Sequence, residues 1–499
     1  MTDARISGGE ATAGTVATAA TLDAAGTAGT GYHPTAIEPG GIEAIPDEHR
    51  HGSPWQLLFT WSAPNFEFAT VFVGMIAVAY FGLDFGQAVI AIVIGNVLGG
   101  IAHGLLSTWG PREGLSQLVL GRAAFGLRGN VVPSLLQTAM AGLGWFATNS
   151  VSGTLALNAI TGLNSVACLI IIVVVEVSVA FVGHDLVQMF ERYASIVLGI
   201  IFLVATIALL ARADLGRPVT STMPLFASFT LTISAAFGYT AGWTTYAADY
   251  TRYLSRTTSR VKIALAAGLG NCVSCTVLMI GGAAAALIAF GANPTKSYVD
   301  GMPAVIRDLT LIAIFIGAIA ANSLNIYSAA MSFLATGVRI SFRMRRALIA
   351  LSFGVLGFFI ALAAVLDGRF ASLYEDFLLI IAYWIAPWLG VEFADRWLRR
   401  GTSIAEFIPA KARYRNPAGL ISFLIAMVFS VVLFSNQTLF VGLVPKATSA
   451  VGDLTPEIGF LLAAVLYVIF FQVFKPQLGD PLGRKVETPA DMDSMDAKD

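Results

Sequence analysis

Long apolar runs separated by short polar stretches fill the chain from residue 55 to residue 473. A helix needs about 20 mostly apolar residues to cross the hydrocarbon core of a bilayer. Twelve runs have that character: 55–81, 85–106, 132–160, 165–182, 193–210, 229–250, 263–290, 309–334, 348–366, 373–391, 420–434 and 458–473. They predict an all-α integral membrane protein with 12 transmembrane helices, spans 1 to 12, the last two being short. Residues 1–52 are rich in Ala, Gly and Thr and carry no apolar run or basic leader pattern. They predict a disordered cytoplasmic tail, 53–474 the transmembrane domain, and 475–499 a second cytoplasmic tail.

Composition sharpens this. Charged residues make up 12% and hydrophobic ones 56%, with a mean hydropathy of +0.74, where soluble domains carry about 25% charged residues. The formal net charge of −1 gives no sign of nucleic-acid binding. The basic residues are unevenly placed, with 18 in the loops after the even spans and in span 6's end, against 6 in the opposite loops. The positive-inside rule then puts both termini in the cytoplasm of a multi-pass cell (inner) membrane protein. Cys168, Cys272 and Cys275 all lie in apolar runs, so neither a disulfide framework nor a metal pair is expected. No HExxH, P-loop or usable GxSxG supports an enzyme.

Polar groups inside a bilayer are costly, so they point to function. Span 1 holds "WSAPNFEF", in which Pro64 breaks the helix and Asn65 and Glu67 follow at once. A broken helix frees carbonyls and dipole ends that hold a substrate or a cation; the alternative is a packed proline kink. Span 3 holds "GLGWFATNSVSG", with Trp145 and Asn149 one turn apart on one face. A flat indole beside an amide suits a flat heterocycle with a polar edge, although packing explains the pair as well. Span 6 holds "SAAFGYTAGWTTYAADYTRYL", where Gly238 and Gly242 loosen the helix before Trp243. It lies five spans after span 1, and an inverted five-plus-five repeat sets the two breaks opposite each other at mid-membrane. Asp249 and Arg252 close this span as a local pair or an inner gate. Span 8 holds Asn322 and Asn325, three residues apart on one face. His103 in span 2 reads as a packing residue ahead of a proton relay, and Glu176 in span 4 as either a protonation site or the partner of a polar group inside the bundle.

Together "GLGWFATN", "GWTTYAADYTRYL" and "ANSLNIYSAAMSF" resemble the nucleobase:cation symporter-1 family, in its cytosine/purine permease branch. The resemblance implies the inverted-repeat transporter fold, with repeats at about 55–210 and 229–391 and two extra helices at about 420–473. It implies carriage of a nucleobase or related flat heterocycle coupled to protons or sodium, with no other cofactor. Trp145 and Trp243 become the walls of a stacking clamp, Asn149 and Asn322 edge readers, Gly242 a backbone contact, and Asn65 and Phe66 the contribution of helix 1. Sodium-coupled members place hydroxyls in helix 8 just before the Asn; here that stretch is "IGAIAAN", without Ser or Thr. Proton coupling is therefore expected, with Glu67 as a candidate carrier. The rival readings are an amine, amino-acid or vitamin carrier on the same fold, and an uncoupled channel or receptor. The oligomeric state is left open.

Overall fold

The computed structural model describes residues 43–479, except 183, 220, 222, 292, 339–341, 369 and 408–412. The expectations for 1–42 and 480–499 lie outside the described residues. Every predicted span is found on helix. Span 1 is Gln56–Ser62 and Phe68–Ala79; span 2 is Phe85–Ser107; span 3 runs Val131–Ala139, Met140–Trp145 and Phe146–Thr161. Spans 4 to 8 are Ser165–Val182, His184–Leu210, Leu225–Gly242 with its continuation to Thr251, Arg260–Ile288 and Ala304–Ala335. Spans 9 to 12 are Phe342–Asp367, Phe370–Leu398, Pro417–Phe434 and Thr455–Phe474. By length and apolarity, 7 described helices suffice to cross a membrane, or 8 with the bent pair of span 1. Spans 11 and 12, short by sequence, are among them. Among the described residues, β-type pairing is limited to an isolated bridge, Asn436 to Val441.

Two spans are interrupted as expected, and a third unexpectedly. Pro64 has no N–H to give, and the chain bends by 63° between the two halves of span 1. Glu67 is fully extended there (φ −146°, ψ 169°). Span 6 tightens into a 3₁₀ turn at Trp243–Tyr246 without a sharp bend. Span 3 widens into a π-helical turn at Met140–Trp145, immediately before Asn149. Such turns occur mostly at functional positions.

Spans 1, 2, 6 and 7 pack into one group, and spans 3, 4, 8 and 9 into another. Span 5 touches spans 7 and 8 and so bridges the groups, while span 10 joins span 6 to spans 11 and 12. Lipid tails are as apolar as leucine, so close van der Waals packing, not water exclusion, holds such helices together. Gly74 shows how close the approach is: a Cβ there would sit 1.7 Å from the carbonyl oxygen of Met279 on span 7. Large apolar side chains such as Ile200, Ile207 and Val465 point outward and are exposed, the face a bilayer covers.

The expected N-terminal tail is too long. Residues 43–52 are folded against the basic end of the molecule. The Ile45 N–H donates to the Gly114 carbonyl (2.9 Å) and that of His51 to the Tyr253 carbonyl (2.6 Å). The Arg50 side chain is 2% exposed and pairs with Asp47. Polar composition hid this, because the segment is held by backbone bonds and one arginine rather than by apolar side chains. The second tail also begins later than expected, since the Gln477 and Leu478 carbonyls accept from Arg399 and Thr402.

Candidate functional site

Span 8 brings the amides together. Asn322 Nδ2 donates to the Phe146 carbonyl of span 3 (3.0 Å) and to Ser150 Oγ (3.2 Å). A carbonyl only accepts, so this contact fixes which way the Asn322 amide points. Its Oδ1 then faces Asn149 and Asn325, which donate to it from Nδ2 at 3.1 and 3.4 Å. Both must therefore turn their own Oδ1 atoms away from Asn322. Those two oxygens are buried and have no partner. A buried acceptor left unpaired costs about 1–3 kcal/mol, so each of these oxygens is an open valence.

Behind this cluster stands Glu176 of span 4, which is fully buried. Ser150 Oγ lies 2.6 Å from its Oε2, while Oε1 has no partner. The π turn carries Trp145 toward span 6, where its ring meets Tyr239 edge-on at 5.1 Å and Phe377 of span 10 at 5.1 Å. It also lies over Gly242: a Cβ there would be 3.7 Å from the Trp145 ring.

A second polar cluster joins the two breaks. Trp243 Nε1 donates to Asn65 Oδ1 (2.9 Å). Asn65 Nδ2 in turn lies within reach of the Trp61 carbonyl (2.8 Å), Ser274 Oγ (2.9 Å) and Asn271 Oδ1 (3.2 Å). Asn271 continues the chain to the Thr240 carbonyl (2.9 Å), and Thr240 Oγ1 bonds Asn96 of span 2. Asn65 is thus spent on holding Trp243 rather than turned toward a ligand. The other face of Trp243 borders a narrow cleft with Thr60, Trp61, Tyr250, Leu324 and Ser328.

The remaining predicted residues fall around these clusters. Phe66 points its ring at Gly199 of span 5, not at the amides; its carbonyl faces Gly317 of span 8, where a Cβ would lie 2.6 Å from that oxygen. Glu67 is buried and accepts from Tyr239 (2.8 Å), whose hydroxyl also bonds Thr70 (2.5 Å). Asp249 accepts from the Gln117 N–H (2.8 Å) on the loop between spans 2 and 3, and Arg122 of that loop donates to the last turn of span 8 at Ala335 (3.0 Å). The loop therefore ties spans 6 and 8 at the basic end. Arg252 stays beside Tyr253, to whose hydroxyl it donates at 3.2 Å. His103 is buried edge-on against Trp61 at 4.1 Å. The cysteines are free.

Sequence reasoning passed over Ser150, Tyr239, Asn271, Ser274 and Phe377. Ser150 and Tyr239 had a signal, each being a polar neighbour of a chosen residue on a buried helix. Asn271 and Ser274 had one too, a polar pair at i, i+3 inside span 7.

Residues 44–455 match the model of a family of permeases for cytosine/purines, uracil, thiamine and allantoin. The putative purine-cytosine permease YxlA of Bacillus subtilis is 28% identical over 466 residues, 89% of this chain and 97% of its own length. The purine-cytosine permease fcyB of Emericella nidulans is 30% identical over 460 residues, 87% of this chain and 88% of its own. Among solved structures, the nucleobase-cation-symport-1 family transporter Mhp1, in a closed conformation with bromovinylhydantoin bound, superposes with a TM-score of 0.69 at 20% identity. The match covers 89% of this chain and 97% of that one, and at this identity it shows a shared fold. Membrane-spanning helices, a transporter's fold and relatives matched over nearly their whole length make this a permease rather than an enzyme, and the chain belongs to the family of permeases for cytosine/purines, uracil, thiamine and allantoin.

Proposed function

We propose that this chain is a secondary active transporter that imports a nucleobase or related flat N-heterocycle, such as cytosine, a purine, uracil or an allantoin-like ring, by proton symport. The observation that carries the reading is the pair of orphaned acceptors, Asn149 Oδ1 and Asn325 Oδ1, in the cluster one helical turn from Trp145. An amino group beside a ring N–H supplies the two donors, and Trp145 supplies a flat wall. In this reading Trp243 is the second wall, held by Asn65, and Gly242 leaves room at the edge of Trp145.

Twelve crossings, an inverted five-plus-five arrangement and cytoplasmic termini complete the proposal, with the spans 1, 2, 6 and 7 group rocking against the spans 3, 4, 8 and 9 group. Proton coupling is favoured by span 8, which offers no hydroxyl between Ile316 and Asn322 and comes close against the Phe66 carbonyl at Gly317. Glu67, buried beside Tyr239, is one carrier for the proton.

Proteoliposome uptake tests this. Labelled cytosine, adenine, guanine, uracil and allantoin are offered under an imposed pH gradient and then a sodium gradient. One ring accumulates under the pH gradient, and the accumulation is lost in Trp145→Ala and Trp243→Ala. Accumulation under sodium alone overturns the coupling; no uptake of any ring overturns the substrate class. Glu67→Gln is expected to exchange substrate across the membrane yet no longer concentrate it.

A further inference from the structure

We infer that Glu176 of span 4 is a proton-binding positioning residue, wired through Ser150 to the Asn322 amide so that its protonation tightens substrate binding. The inference rests on the substrate reading above and adds a residue to which that reading gives no role.

The geometry is a problem of counting protons. Ser150 has one hydroxyl hydrogen and two acceptors in reach, the Phe146 carbonyl at 2.8 Å and Glu176 Oε2 at 2.6 Å. It cannot serve both. If Glu176 is ionised, Ser150 donates to its Oε2, the Asn322 amide lies beside it, and Oε1 is left without a hydrogen-bond partner. If Glu176 carries a proton, it donates to Ser150 Oγ and Ser150 donates to Phe146. That is the same carbonyl that anchors Asn322, and Asn322 also reaches Ser150 Oγ. The proton on Glu176 thus acts on both contacts that orient Asn322, and through Asn322 on the two amides that present the free acceptors.

Among the described residues, no cation relieves the ionised form. Spans 3 and 8 face Glu176 with Ser150 and Asn322. Span 3 carries no titratable side chain between Val131 and Thr161, and span 8 no charged one between Asp308 and Ala335. The described side chains of span 5 (196–210) include none that titrate, and those of span 9 (351–367) only Asp367, exposed at its last position. Among the described residues, Glu67 of span 1 acts on Glu176 as a like charge when ionised.

Coupling follows from desolvation. With the site open, water can solvate Oε1. A substrate that fills the site expels that water, and the carboxylate then needs a proton in its place. Linkage is reciprocal, so a protonated Glu176 binds substrate more tightly by the same factor.

The test is the pH dependence of equilibrium binding by the purified full chain, with the labelled ring that the wild type binds. Wild-type affinity is expected to fall by about tenfold or more from acid to alkaline pH, within the usual range for coupled sites. Glu176→Gln, which keeps a neutral donor toward Ser150, should hold the acid-pH affinity throughout. Ser150→Ala keeps the carboxyl but cuts the wire, and should flatten the profile while weakening binding; a merely structural role would weaken binding and leave the slope. A Glu176→Gln protein with the wild-type profile overturns this inference alone. A wild type that binds none of the rings overturns the substrate reading, and this inference with it.

Discussion

Two clusters of asparagines lie buried in this molecule, and they are built to opposite ends. Around Asn65, on spans 1, 6 and 7, both ends of the amide are engaged: Nδ2 faces three acceptors and Oδ1 takes the Trp243 N–H. Around Asn322, on spans 3 and 8, one amide is fully used and its two neighbours each keep an idle oxygen. The first cluster is closed and fixes the breaks of two helices to each other. The second is open. In a medium without water, every idle acceptor is a standing cost, so open valences rather than polarity as such set the second cluster apart from the first. Both clusters look alike in the sequence.

The comparison breaks most readily at the closed cluster. Asn65→Leu strands the Trp243 N–H and removes the bridge to span 7, which should cost about 3 kcal/mol or more. A large fall in thermal midpoint in detergent, together with lost transport, is the expected result; an unchanged midpoint means the cluster is not a strut. Gly317→Ala comes next. Its Cβ would press against the Phe66 carbonyl at 2.6 Å, an overpacking worth about 1–3 kcal/mol, and should slow uptake by prying span 8 from the break. Asn149→Ala, in the open cluster, removes an acceptor that no protein group uses and that the proposed substrate would. Affinity should drop about ten- to a hundredfold, with a smaller change in midpoint than for Asn65→Leu; the reverse ranking would exchange the roles of the two clusters.

The smallest effect belongs to Asp47, outside both clusters and on the surface. Its hydrogen bond to Arg256 (2.8 Å) holds the carboxyl below the usual carboxylate range. Whatever the pair contributes is therefore present at neutral pH and lost on acidification through that lowered value. An exposed ion pair is worth no more than about 1 kcal/mol, so Asp47→Ala should move the midpoint little at neutral pH and even less in acid.

How much of this could be read in advance differs from residue to residue. The spans were legible because an apolar run long enough to cross a bilayer has few other readings, and Pro64 announced the break of span 1. Trp145, Asn149, Asn322 and Asn325 were legible as polar or aromatic intruders in such runs, and the fold brings them to neighbouring positions on spans 3 and 8. Asn65 stood out in the same way, yet its partners Asn271 and Ser274 come from more than 200 residues away, and no local pattern says that they will absorb it. Glu176 stood out too, and its link to the amides needed Ser150, an ordinary residue in helical sequence. Residues 43–52 lacked any apolar signal, and backbone bonding leaves no trace in composition.

The wide turn at Met140–Trp145 reaches beyond this molecule. A π turn accommodates one more residue than an α turn, and each residue along a helix advances the face by about 100°. A relative with an unbroken α-helix here would present the same side chains to span 8 only with one residue fewer before its counterpart of Asn149. Correspondences between such chains therefore have to open a single-residue gap within Met140–Trp145. Counted straight through, they would match Asn149 and the residues after it to neighbours on the wrong face of the helix.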